Sequence, residues 1–183
     1  LVEELSRRCG ETVHVGILDG TDVISIEEAE SMQTLRPAIF IGKRAPLYCT
    51  AIGKALLAFL PEAERKRIIG MIRFTRFTPN TITDPESLEK ELAAVRMRGY
   101  AVDDEEHDIG VRCVGVPILG RQGDAVASVS ISGPSVRITR EKIPLLAEEL
   151  KRTALDISRA MGYTGSGREA LTEVEEDMVG QGG

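Results

Sequence analysis

The stretch RCVGVPILGRQGDAVASVSISGP, residues 112–134, constrains the fold most. Apolar residues alternate with others on both sides of a Gly-rich turn, GRQGD, so RCVGVPIL and AVASVSIS read as the two strands of a hairpin. A period of two puts Ala127, Val129 and Ile131 on one face and Ser128, Ser130 and Ser132 on the other. A second hairpin stands near the start, where Val13, Val15 and Ile17 alternate, LDGTD turns the chain and VISIEE alternates again. LRPAIFIG at 35–42 is a third strand-like run, and YAV after Gly99 opens a short strand.

Helical periods lie between and outside these hairpins. LVEELSRRCG stops at Gly10, and TAIGKALLAFL sets Ile52, Leu56 and Phe59 on one face behind a Thr50 cap. PEAERKRIIGMI forms a more polar helix. Asp84 then caps a helix that has Pro85 at its first position, Leu88, Leu92 and Val95 as its inner face and Gly99 at its end. TREKIPLLAEELKRTALDISRAMG closes the order. Strands in hairpins with no regular βαβ alternation predict an α+β domain, an antiparallel β-sheet flanked by helices. The terminal helices should cover one sheet face, and the helices at 50–72 and 85–98, or a ligand, the other.

Composition narrows the function. At 183 residues the chain suits one domain, and 29 acids against 23 bases give a net charge of -6. Duplex binding needs a basic face, so this segment alone should not grip DNA. Aromatics at 4%, with no Trp, offer no stacking platform for single strands. Cys9, Cys49 and Cys113 are odd in number and far apart, which predicts a reducing, cytoplasmic setting. No apolar run approaches the roughly 20 residues of a membrane span, and the first residues have no signal-peptide pattern.

A thiol at 113 and hydroxyls at 130 and 132 stand where plain apolar packing would be simpler. The serines form either a solvated sheet face or a buried row that needs a polar guest, because an unsatisfied buried hydroxyl costs about 1–3 kcal/mol. Cys113 is either a small core residue or a ligand contact. Asp103, the first acid of DDEEHD, stands at a strand end from which it can reach inward. The amides at 50–53 open a helix and suit a carboxylate, unless Thr50 simply caps its own helix. Cys113, His107 and Asp103 could be read as nucleophile, base and orienting acid, but a triad demands geometry that the sequence does not supply. The Cys and His residues show no metal-ligand spacing. No catalytic residue, metal or cofactor is expected.

Three segments together, GKRAPLYCTAIGKALLA at 42–58, RGYAVDDEEHDIGVRCVGVPI at 98–118 and ASVSISGP at 127–134, resemble the C-terminal, GAF-like effector-binding domain of IclR-family bacterial transcriptional regulators. The resemblance covers residues 1–162 and implies an effector-binding domain there, with 1–10 as the end of a linker helix. It leaves 163–183 as a flexible tail and implies an N-terminal winged helix-turn-helix domain absent from this chain. It implies binding of a small carboxylate or aromatic acid by Ala51, Ile52, Asp103, Cys113, Ser130 and Ser132. It also implies self-association to a dimer or tetramer and contact with DNA only through the missing domain. Position 51 is glycine in some members of the family. The competing reading is a GAF-like thiol redox sensor or enzyme acting through Cys113.

Overall fold

In the computed structural model, which describes residues 1–165, Thr12–Asp19 (β1) and Asp22–Ala29 (β2) form the first hairpin, and Gly20 takes the left-handed φ of 66° that the tight turn requires. Val111–Leu119 (β5) and Ala125–Pro134 (β6) form the second. Arg44–Pro46 (β3) and Ala101–Asp104 (β4) are the short edges of one six-stranded antiparallel sheet of order β3-β2-β1-β6-β5-β4. The two hairpins meet through β1 and β6, which pair Thr12 with Ser132 and His14 with Ser130. The fold is α+β with an antiparallel sheet flanked by helices, as the periodicities predict.

One sheet face is covered by Val2–Cys9 (α1) and Ile143–Ala160 (α5), which follows a 3-10 turn at Arg140–Lys142. Leu5, Ala147, Leu150 and Ala154 from these helices pack on Val13, Val129, Ile131 and Val114 of the strands. Ala51–Ala58 (α2) lies on the opposite face, backed by Glu62–Met71 (α3) and Pro85–Arg98 (α4). α4 has the predicted boundaries: the Asp84 carboxylate accepts the Ser87 amide at 2.8 Å, Gly99 closes the helix in left-handed geometry, and Leu88, Leu92 and Val95 are fully buried. Each such leucine contributes roughly 1.5–3 kcal/mol by leaving water.

The strand-like run at 35–42 is not a strand. Residues 36–40 are irregular, with Phe40 and Ile41 largely exposed. Pro37 supplies no amide to a ladder and Gly42 bends the chain at a φ of 87°, so pairing with β2 resumes only at 42–46. Of the segment 163–183, for which the sequence predicts a flexible tail, Tyr163 is buried against the α2 side of the core and 166–183 lie outside the described residues.

Candidate functional site

Two small residues seat α2 on the sheet. Gly115 faces its first turn so closely that a Cβ there would lie 2.4 Å from the Ala51 carbonyl oxygen. On the next strand the Ser128 hydroxyl donates to the Ile52 carbonyl at 2.6 Å. At the helix start the Thr50 hydroxyl accepts the Gly53 amide at 3.2 Å, which leaves the amides of Ala51 and Ile52 without an intrahelical acceptor. The capping role and the anion-binding role therefore coexist, because one cap satisfies one of several open donors.

Between this helix start and the sheet lies a cavity of about 440 Å³. Its floor comes from three neighbouring strands: His14 on β1, Ser130 and Ser132 on β6, and Cys113 on β5. The serines are fully buried, so the face is not solvated. His14 Nε2 lies 3.1 Å from the Ser132 hydroxyl, and Nδ1 lies 3.5 Å from the Ser25 hydroxyl. Burial first, and then Lys43, hold the imidazole down at about 4, so at neutral pH it is an uncharged ring with one donor and one acceptor nitrogen. The coil residues Pro37, Ala38 and Ile39 close the outer side. Lys43 donates to the Ala38 carbonyl and so ties that cover to β3's approach.

Asp103, the penultimate residue of β4, stands at the cavity wall. Its Oδ1 accepts the amides of Glu106 at 2.7 Å and His107 at 3.4 Å, and this organises the acidic loop as a turn. Burial, and then the Glu106 carboxylate, push Asp103 up to about 7, against the pull of these amides and of Lys54. Behind it, Lys54 of α2 is completely buried and donates to Glu106 at 2.5 Å. Arg112 pairs with Asp104 on the outer side of the loop, away from the cavity.

All six residues singled out in the sequence, Ala51, Ile52, Asp103, Cys113, Ser130 and Ser132, line this one cavity. Ser128, which shares their face, belongs to the helix seat instead. Sequence reasoning missed His14, Ser25, Lys43 and Val111 as lining residues. For His14 the signal was present, since Val13 and Val15 face α5 and a period of two sends residue 14 to the other side.

The imagined triad does not assemble. His107 Nδ1 is engaged by Asp108 at 2.7 Å, its ring packs on Phe77, and Asp103 faces backbone amides. Burial pushes the Cys113 thiol up, whereas a nucleophile or redox sensor needs a stabilised thiolate. Among the described residues no group of three or more His, Cys, Asp or Glu is disposed to hold a metal ion, and no helix is long and apolar enough to cross a membrane.

Comparison with known proteins gives consistent results. Residues 1–159 match the family model for the bacterial transcriptional regulator IclR C-terminal domain. The HTH-type transcriptional regulator XynR of Escherichia coli K12 is 41% identical over 160 residues, which is 87% of this chain and 64% of XynR. The chain thus spans less than two thirds of that relative's length. The crystal structure of the Thermotoga maritima IclR superposes with a TM-score of 0.85 at 44% identity, covering 88% of this chain and 66% of that one. The inducer binding domain of the Acinetobacter PobR transcription factor, a double mutant in complex with 3-hydroxybenzoic acid, superposes with a TM-score of 0.78 at 27% identity, covering 86% and 93%. The relatives are named as transcriptional regulators, not as enzymes.

Proposed function

The chain belongs to the IclR family of bacterial transcriptional regulators, as its C-terminal effector-binding domain, and from that premise we propose that the cavity beneath α2 binds a small organic acid whose occupancy controls a DNA-binding domain outside this chain. The observation that carries the reading is the cavity itself: open amides of Ala51 and Ile52 at one end and buried side-chain oxygens along the floor. A carboxylate at the helix start meets converging N–H donors and the positive end of the helix dipole. Asp103, Cys113, Ser130 and Ser132 then contact the rest of the ligand. In this reading the regulator is cytoplasmic, takes its effector as a small carboxylate or aromatic acid, works as a dimer or tetramer, and touches DNA only through its winged helix-turn-helix domain.

Control requires differential affinity. The acid must bind one arrangement of the assembled regulator better than another, and it shifts the equilibrium by no more than that difference. The competing thiol-sensor reading has no support in the surroundings of Cys113, where burial opposes the thiolate.

A thermal-shift panel of aliphatic and aromatic carboxylates tests the proposal. A binder present at a hundred times its Kd adds about 2.7 kcal/mol, which for a domain of this size raises Tm by roughly 5–10 °C. An empty panel at millimolar concentration, with a folded protein, would overturn it.

A further inference from the structure

We propose that Asp103 takes up a proton when the cavity binds its acid, so that the effector enters together with one hydrogen ion and is held less tightly as the pH rises above neutral. The proposal rests on the effector reading above and adds a regulation to it. Its basis is how charge is distributed at the end of β4. Asp104 faces outward and meets two arginines, Arg112 at 2.7 Å and Arg140 at 2.8 Å. Asp103 faces the cavity, is 3% exposed, and makes no ion pair among the described residues. Its hydrogen bonds come from the two loop amides, both to Oδ1, which leaves Oδ2 for the guest.

Among the described residues, the cations around Asp103 are engaged elsewhere. Lys54, behind it on α2, is shared between Glu106 at 2.5 Å and Glu91 of α4 at 3.8 Å. Lys43, on the approach to β3, donates to the Ala38 carbonyl. His107 is engaged by Asp108, and His14 on the floor is uncharged at neutral pH. Cys49 before α2 and Cys113, opposite Asp103 on β5, are thiols that burial keeps protonated. The buried acids Asp103 and Glu106 thus depend on one buried ammonium before any anion arrives. Burial, and then Glu106, already push Asp103 up to about 7, so at neutral pH it stands near the middle of its titration.

A carboxylate at the Ala51 and Ile52 amides lies in the same cavity of about 440 Å³, so its charge opposes that of Asp103 across the length of one small molecule. A proton from solvent removes the conflict. Placed on Oδ2, it cancels the carboxylate charge and turns an acceptor into an O–H donor for an oxygen of the guest.

Calorimetric titration of the folded chain tests this. Propionate, gluconate, benzoate and 3-hydroxybenzoate are the probes, and each that binds is titrated from pH 6 to pH 8.5 in buffers of low and of high ionisation enthalpy, so that the difference in heat counts protons. At pH 8 uptake should approach one proton per molecule bound. At pH 6, where Asp103 already carries its proton, uptake should be small. Kd should be nearly flat below neutral pH and rise by up to about 10-fold per pH unit above it. Asp103→Asn keeps the Oδ1 acceptor and places an N–H where the O–H would stand, so it should bind the same probe without proton uptake and with a flat pH profile. His14→Gln should retain the uptake, which places the proton on the carboxyl and not on the imidazole. Binding of an acid by the parent chain at pH 8 with no proton uptake, or uptake that persists in Asp103→Asn, would overturn the inference while sparing the effector reading. Binding of no acid at all would end both.

Discussion

Gly115 and Ala51 are in backbone contact: the position a Cβ would take on the strand residue is 2.4 Å from the helix carbonyl oxygen and 2.6 Å from its carbon. Both partners are main chain, so no side chain can swing aside. Gly115→Ala must push the start of α2 off the sheet, at a cost of about 1–3 kcal/mol from overpacking. The same displacement moves the amides of Ala51 and Ile52, so ligand-induced stabilisation should shrink by more than the loss of stability alone explains. Urea unfolding with and without a carboxylate that stabilises the parent protein separates the two effects. An unchanged ligand shift in this variant would mean that the helix start does not hold the acid.

The three serines of β6 should part company under mutation. Ser128→Ala removes the hydrogen bond to the Ile52 carbonyl and should lower stability by about 1 kcal/mol, with little direct effect on a ligand. Ser130→Ala removes a hydroxyl with no good protein partner, so stability should stay within about 0.5 kcal/mol while binding suffers. A pair of denaturation curves and a pair of titrations give the comparison, and interchanged behaviour would refute the assignment of roles.

The pH dependence of stability contains two opposed contributions from the cavity. Asp103 sits at about 7 in the folded chain against 3.8 in the open one, so between these values the native state keeps a proton that the unfolded state has released, and stability falls as pH rises through that window. His14 sits at about 4 against 6.5, so the unfolded state binds the extra proton first and stability falls as pH drops through its window. The groups around Asp103 are Glu106, Lys54, His107 and Asp108, and Lys43 faces His14. Asn at position 103 keeps the Oδ1 acceptor and loses the charge, so Asp103→Asn should gain on the order of 2 kcal/mol over the parent at pH 8 and almost nothing at pH 4. His14→Gln should gain relative to the parent near pH 4.5 and not at pH 8. Chemical denaturation at half-unit pH steps measures both differences, and a pH-independent offset for Asp103→Asn would show that its carboxyl is not perturbed.

What the sequence reveals here follows the range of the interactions. α4 is readable to the residue because its signals, Asp84, Pro85 and Gly99, are local. The serine row is readable because a strand's period of two is local as well, and that put Ser128, Ser130 and Ser132 on one face; whether that face met solvent or a cavity depends on α2, which packs on it from elsewhere in the chain. Residues 35–42 misled because β-branched and aromatic composition describes a pleated surface, while Pro37 and the exposure of Phe40 and Ile41 depend on what lies beside the chain. The polar partners of His14 are 11 and 118 residues away, and those of Lys54, Glu106 and Glu91, are 52 and 37 residues away. No local pattern announces such pairs, and a lysine in an apolar helix reads as the one residue turned to water. Here it is the reverse.

Lys54 and Glu106 are the strongest test of that reversal. The lysine is wholly buried, and Glu106, also buried, already has one oxygen, Oε2, without a partner. Burial pushes the Glu106 carboxyl up while Lys54 opposes the shift, so the pair holds a charge that its surroundings disfavour. Lys54→Met leaves the carboxylate without its closest cation, and removal of one partner of such a pair costs about 3–5 kcal/mol. The double change Lys54→Met with Glu106→Gln removes both charges and should recover a large part of that loss, which gives a coupling of more than about 1 kcal/mol in a double-mutant cycle. Glu106 also shares the 103–108 turn with Asp103, so the single lysine variant should bind the ligand more weakly as the turn loosens. Urea midpoints for the four proteins provide the cycle. Additive losses would mean that the two side chains do not meet, and that the loop is held by the amide hydrogen bonds to Asp103 and by the Thr78 and Thr81 hydroxyls that donate to the Glu106 carbonyl.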